Sequence, residues 1–164
     1  MTATLVRPML FGDEHVQRYL ETDGREGHEW RPGVFTLLLS TTGRRSGKRR
    51  TTPLIYGESE GDYVVVASKG GAADHPDWYR NLVAHPEVEV QVGADVFAAT
   101  ARTADEDEKD KIWPMMAEIW PDYDHYAEKT DRDIPVVLLE PHAGEGLVDA
   151  DAAATSGPSE PQGI

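Results

Sequence analysis

Three observations in the sequence predict an α+β domain built on a small, mostly antiparallel barrel. About six runs of strand length recur along the chain, most neighbours are joined by short turns, and three to four helical segments lie between and around them. The regular strand–helix alternation of a doubly wound sheet is missing. With 164 residues and 39% hydrophobic content, the chain has material for one domain with a real core and is short for two.

Residues 13–22 read as a short amphipathic helix lying across the fold, with Val16, Tyr19 and Leu20 on one side, and a polar, glycine-rich linker follows to Pro32. Residues 34–40 (VFTLLLS) are a continuous apolar run of strand length. Residues 50–57 and 62–68 (DYVVVAS) are two more, separated by the turn-like ESEG. The Gly70-Gly71 pair lets the next connection approach a ligand closely. Pro76 then suits the first turn of a helix that places Trp78 and Leu82 on a core-facing stripe, and Pro86 stops it.

Residues 87–92 (EVEVQV) alternate with period two, as a strand with one wet face does, and residues 95–102 continue after a turn at Gly93. Thr103 and Glu106 have the spacing of a capping box for a helix through DEDEKDKIWPMMAEIW, bent at Pro114. Pro121 opens the short segment PDYDHYAEKT. A last strand, residues 134–140, closes at Pro141. From Ala143 onward the chain is rich in Ala, Gly, Ser, Pro and Asp and reads as disordered. There are no internal repeats.

The absence of cysteine excludes disulfides, thiolate nucleophiles and zinc–thiolate sites, and no histidine or carboxylate spacing suggests a metal. No apolar run reaches the roughly 18 residues of a spanning helix, and the opening MTATLVRPMLFGDEH lacks a signal-peptide core. The expectation is a cytoplasmic protein.

The most informative stretch is STTGRRSGKRRTTPL, residues 40–54. It packs five cations into residues 44–50 of a chain whose formal net charge is −14. It also lies on a hairpin signal between two strand runs, with Gly43 and Gly47 inside the turn. Charge runs on hairpin tips are commonly just solvated faces. A nucleic-acid backbone would be repelled by the acidic remainder, and no aromatic residue interleaves the basic ones. A small, multiply anionic ligand fits better, since such a turn can aim backbone N–H groups and guanidinium forks at a phosphate or carboxylate together.

TTGRRSGKRRTTPL, then VVVASKGGAADHPDWYRNLVAHPEVEVQVG, then RDIPVVLLEP resembles the deazaflavin-dependent nitroreductase and quinone reductase family over roughly residues 30–141. The resemblance implies the split β-barrel of flavin-binding oxidases, coenzyme F420 as cofactor, and a small-molecule hydride acceptor as partner. It divides the chain into an N-terminal helix and linker (1–32), a coenzyme-binding barrel (33–142) and an acidic tail (143–164).

In this family, basic residues matching Arg44, Arg45 and Arg50, with Ser46 and Gly47 between them, meet the anionic end of the coenzyme. Lys48 and Arg49 do not clearly match. Ala67, Ser68, Lys69, Gly70 and Gly71 match the segment that runs along the deazaflavin and its phosphate. Trp78, Tyr79 and Asn81 match a helix, in which Trp78 and Leu82 are expected to be core. Tyrosines lining the family's substrate pocket correspond to Trp120, Tyr123 and Tyr126, the first being a departure whose wider indole reshapes the pocket mouth. Ser68 and Tyr126 are the catalytic candidates, to orient the acceptor or polarise its oxygen, with His125 a lesser acid/base candidate. The acidic N-terminal region speaks against membrane association. A monomer or homodimer is expected. The competing readings are a flavin mononucleotide or haem-binding split barrel, which would not need so many cations, and a non-catalytic carrier of F420.

Overall fold

The computed structural model describes residues 10 and 12–142, so the expected tail from Ala143 lies outside the described residues. Twelve elements follow in chain order: α1 (Gly12–Thr22), β1 (Glu29–Arg31), β2 (Val34–Thr42), β3 (Arg49–Ile55), β4 (Gly57–Ser59), β5 (Asp62–Val66), α2 (Asp77–Ala84), β6 (Glu87–Val92), β7 (Asp95–Thr103), α3 (Glu106–Ile119), α4 (Asp122–Lys129) and β8 (Val136–Pro141).

Every strand pair is antiparallel. β2 pairs with β6, β6 with β7, β7 with β8, β8 with β5 and β5 with β4. β4 continues β3 after the single residue Tyr56, and β3 pairs back onto β2 in the register Leu38↔Pro53 and Ser40↔Thr51. The circuit therefore closes through one chain segment that serves two neighbours, and the sheet curls into a split β-barrel. The six strand runs of the sequence are the six staves. The short strands β1 and β4 went unseen, because a three-residue strand carries no period of its own.

Alternating residues divide the core. Leu37, Leu39, Val65, Val90, Val137 and Leu139 fill the barrel, whereas Val64, Val66, Val136 and Leu138 face outward beneath Ile112 and Met116 of α3 and Tyr123 of α4. β5 and β8 are thus buried on both faces, which is why they read as unbroken apolar runs while β6 alternates. Trp78 and Leu82 of α2 join the inner cluster as expected, each worth about 1.5–3 kcal/mol of burial.

Two local expectations are corrected. Thr103 is still strand, paired with Val137, so α3 starts two residues later and its capping box is Asp105 with Glu108. In α1, His15 and Tyr19 are the buried residues while Val16 and Leu20 are half-buried. A polar His at a core position is invisible to a hydrophobic period. Pro114 sits inside α3, which runs through to Ile119.

Candidate active site

The β2–β3 connection is a tight turn closed by Gly43 N–H to the Lys48 carbonyl at 2.7 Å and Gly47 N–H to the Gly43 carbonyl at 2.9 Å. Gly47 has φ +73°, a conformation that favours glycine, and lies outside the hollow beside it. Asn81, buried on α2, pins the turn: its Oδ1 accepts from the Arg44 backbone N–H at 3.1 Å and from Arg44 Nη1 at 2.9 Å. Asp77 adds an ion pair to Arg44 at 3.5 Å.

Between this turn and α2 lies a hollow of about 550 Å3 walled by Arg44, Arg45, Ser46, Arg49 and Arg50. Arg49 is held by Glu89. Among the described residues Arg45 and Arg50 have no acidic partner, so their charge is available to something else. Lys48 is not part of the wall.

A second cleft of about 460 Å3 adjoins it, and both are walled by Asp77 and Trp78. Pro53 and Leu54 of β3 form one side, Ser68, Lys69 and Gly70 another, and Trp30, Trp120, Tyr123 and Tyr126 the aromatic rim. The two hollows form one groove, basic at one end and aromatic at the other.

The backbone beside the cleft is unusual. Ser68 is right-handed (φ −84°, ψ −35°), and Lys69, Gly70 and Gly71 all have positive φ (47°, 64° and 84°). For Lys69 this conformation costs about 1–2 kcal/mol. Right-handed followed by left-handed residues turn successive N–H groups to one side, an arrangement that receives anions. The N–H groups of Lys69 and Gly70 donate to nothing among the described residues.

Arg132 holds this strained segment. It donates from Nε to the Ala72 carbonyl (2.8 Å), from Nη1 to the Ala67 carbonyl (3.2 Å) and His75 Nδ1 (3.0 Å), and from Nη2 to the Ser68 carbonyl (2.7 Å). From the other side α4 closes on it, since a Cβ on Gly71 would lie 2.9 Å from the Tyr126 carbonyl oxygen. Ala67 and Gly71 thus sit behind the cleft wall as support, and Ser68, Lys69 and Gly70 form it.

In the rim, Tyr123 is buried and meets Tyr126 edge-on at 6.1 Å. Burial pushes the Tyr123 phenol well above its usual range, so it stays protonated. His15 reaches the cleft from α1, with Nε2 3.0 Å from the Gly27 carbonyl, and burial lowers its pKa below the usual 6.5. His125 is exposed outside the cleft. Among the described residues no group of His, Asp or Glu could hold a metal ion.

Sequence reasoning missed Arg132, Arg49 as a wall of the basic hollow, Trp30, and the second duty of Trp78 as shared wall. The first three make contacts with partners far away in sequence. Trp78 could have been found, since an aromatic residue at the start of a helix that lies beside both the β2–β3 turn and the 68–70 segment faces both hollows.

The family model described as F420H(2)-dependent quinone reductase matches residues 12–141. An F420H(2)-dependent quinone reductase of Mycobacterium tuberculosis (strain ATCC 25618 / H37Rv) is 40% identical over 128 residues, covering 76% of this chain and 86% of that protein. The structure of an F420-H2 dependent reductase, FDR-A, is 45% identical with TM-score 0.60, covering 64% of this chain and 93% of that one. A structure described as a domain-swapped dimer is 44% identical with TM-score 0.63, covering 77% and 95%. The haem storage protein HutZ of Vibrio cholerae, 17% identical with TM-score 0.51 over 81% of this chain and 92% of that one, shares the fold. On a family match running from α1 through β8, with relatives 40% or more identical, this chain belongs to the F420H2-dependent quinone reductase family.

Proposed function

We propose that this protein reduces a quinone, enone or nitroaromatic acceptor by two electrons at the expense of reduced coenzyme F420, held along the groove. The observation that carries the reading is the groove itself. F420 has a planar ring at one end and a phosphodiester with glutamates at the other. The groove has an aromatic cleft at one end, unpaired Arg45 and Arg50 at the other, and the open Lys69 and Gly70 N–H groups in the cleft wall.

When bound, the reduced coenzyme supplies a hydride from C5 of its deazaflavin. The chain supplies position and charge. Arg44, Arg45 and Arg50 take up the anionic end, and Lys69 with its neighbouring N–H groups takes the phosphate. Trp78 and the β3 wall exclude water from the ring. The Ser68 hydroxyl, without a partner among the described residues, and the Tyr126 hydroxyl orient the acceptor and donate to its oxygen as negative charge develops. The final proton comes from Tyr126 or from water.

No helix among the described residues is long and apolar enough to cross a membrane, and the reading places the protein in the cytoplasm as a monomer or homodimer. Titration of the purified protein with F420 and with flavin mononucleotide, followed by turnover with menadione, tests it. Tight F420 binding with menadione reduction is expected. Tight flavin binding with no affinity for F420 overturns the reading, and F420 binding without turnover of any acceptor leaves a carrier instead.

A further inference from the structure

Trp120 caps the end of α3 and stands in the aromatic rim. Its Nε1–H donates to Tyr126 Oη at 3.4 Å, the long end for a hydrogen bond, as is common in sites whose contacts tighten around a bound substrate. An indole N–H only donates and has no lone pair to accept with. A phenol that accepts from it keeps its own proton for another partner, and Tyr126 Oη has no other partner among the described residues. Tyr126 lines the cleft, which is the space open to a further partner of its hydroxyl.

The indole is itself held. Its ring lies 5.6 Å from that of Trp30, and the Arg31 guanidinium carbon lies 4.4 Å from the Trp30 ring and 5.1 Å from the Trp120 ring. Trp30 is tied in turn by Nε1 donation to the Leu10 carbonyl at 2.9 Å. A cation against an aromatic ring is attracted to its electron-rich face. It also draws electron density from the indole, which strengthens the N–H as a donor.

We propose that Trp120, steadied by Trp30 and Arg31, is a positioning residue that orders the Tyr126 hydroxyl as a hydrogen-bond donor into the cleft, toward a carbonyl oxygen of the acceptor. This rests on reading the cleft as the acceptor site. A tyrosine at 120 can accept as well as donate, so it leaves the direction of the Tyr126 proton open. The tryptophan sets the direction one way.

Trp120→Phe keeps a ring beside Trp30 and removes the N–H. The expected result is a fall in kcat/KM with menadione of about three- to tenfold, the effect of one neutral hydrogen bond, with the Kd for F420 unchanged. In a Tyr126→Phe background the same change has no further effect, because no hydroxyl is left to orient. Site-specific replacement of the indole by benzothiophene, which exchanges N–H for sulfur at nearly constant shape, reproduces the effect even if the phenylalanine variant fails to fold. As a measurement apart from turnover, 1-tetralone, a carbonyl probe without a reducible alkene, should bind less tightly to the Trp120→Phe and Tyr126→Phe variants, while its hydrocarbon counterpart tetralin binds all forms alike. Equal kcat/KM losses in the two backgrounds, or full activity of the benzothiophene form, overturn the proposal. Failure of the unmodified protein to bind F420 or reduce menadione overturns instead the functional reading beneath it.

Discussion

Arg44 and Arg50 belong to the same turn but stand in different electrostatic positions. Arg44 is engaged by Asn81 and Asp77, while Arg50 faces the hollow with no partner among the described residues. Arg50→Ala should therefore weaken F420 binding by about 1.5–3 kcal/mol, the scale of a hydrogen bond to a charged group, with a steeper salt dependence in the parent than in the variant. Arg49→Ala, whose charge is already met by Glu89, should cost less, and fluorescence titration at two ionic strengths separates the cases. The histidines give a second prediction at this scale. Burial is the first cause lowering the pKa values of His15, His28 and His75 below 6.5. The folded state then binds fewer protons than the unfolded one, so the stability present above pH 6.5 is lost as pH falls through the lowered folded values. The thermal midpoint should drop between pH 7 and pH 5.5, and His15→Gln should flatten part of that slope.

Among the elements, the strained connection from β5 to α2 depends on a residue that reaches it from the loop before β8. Arg132→Met removes the side-chain donor from the carbonyls of Ala67, Ser68 and Ala72, of which Ser68 keeps the Gly71 N–H, and releases a backbone that keeps Lys69 in a left-handed conformation only under constraint. F420 affinity should fall about tenfold, the equivalent of one such charged hydrogen bond, and amide exchange of residues 67–72 should rise while that of the barrel strands stays slow. Little of this was legible in the sequence, because one arginine among sixteen basic residues carries no local mark of a partner some sixty positions away. The β2–β3 turn was legible for the opposite reason: glycines, cations and flanking strand runs all lie within residues 34–57. Where two local signals competed, the strand took precedence, since Thr103 pairs in β7 and hands the capping role to Asp105.

For the whole molecule, the barrel was readable because each of the six staves carries a strand-length signal of its own, an unbroken apolar run in β5 and β8 and a period-two alternation in β6. Its closure was not, since that depends on β3 and β4 sharing one segment around Tyr56. The acidic surface is braced at one point by Arg102 of β7, which donates to both oxygens of Glu108 on α3 at 2.8 and 2.7 Å and to Glu140 of β8. Those bonds, with the Asp105 N–H, hold the Glu108 carboxyl down to about 2 against a usual 4.5. A depressed carboxyl contributes stability above the unfolded value that is lost as pH falls through the folded one, here between about 4.5 and 2. Asp62, raised by burial and then by Glu140, works with the opposite sign nearby. Glu108→Gln should move acid unfolding, followed by circular dichroism, to a higher pH, and full acid resistance in that variant would show that the brace is only a surface contact. The two hollows of the groove have only Asp77 and Trp78 in common, so substitutions in the aromatic rim leave the arginine turn untouched. After a gene duplication, one copy can drift in the aromatic rim and acquire a new acceptor while it inherits the basic hollow intact.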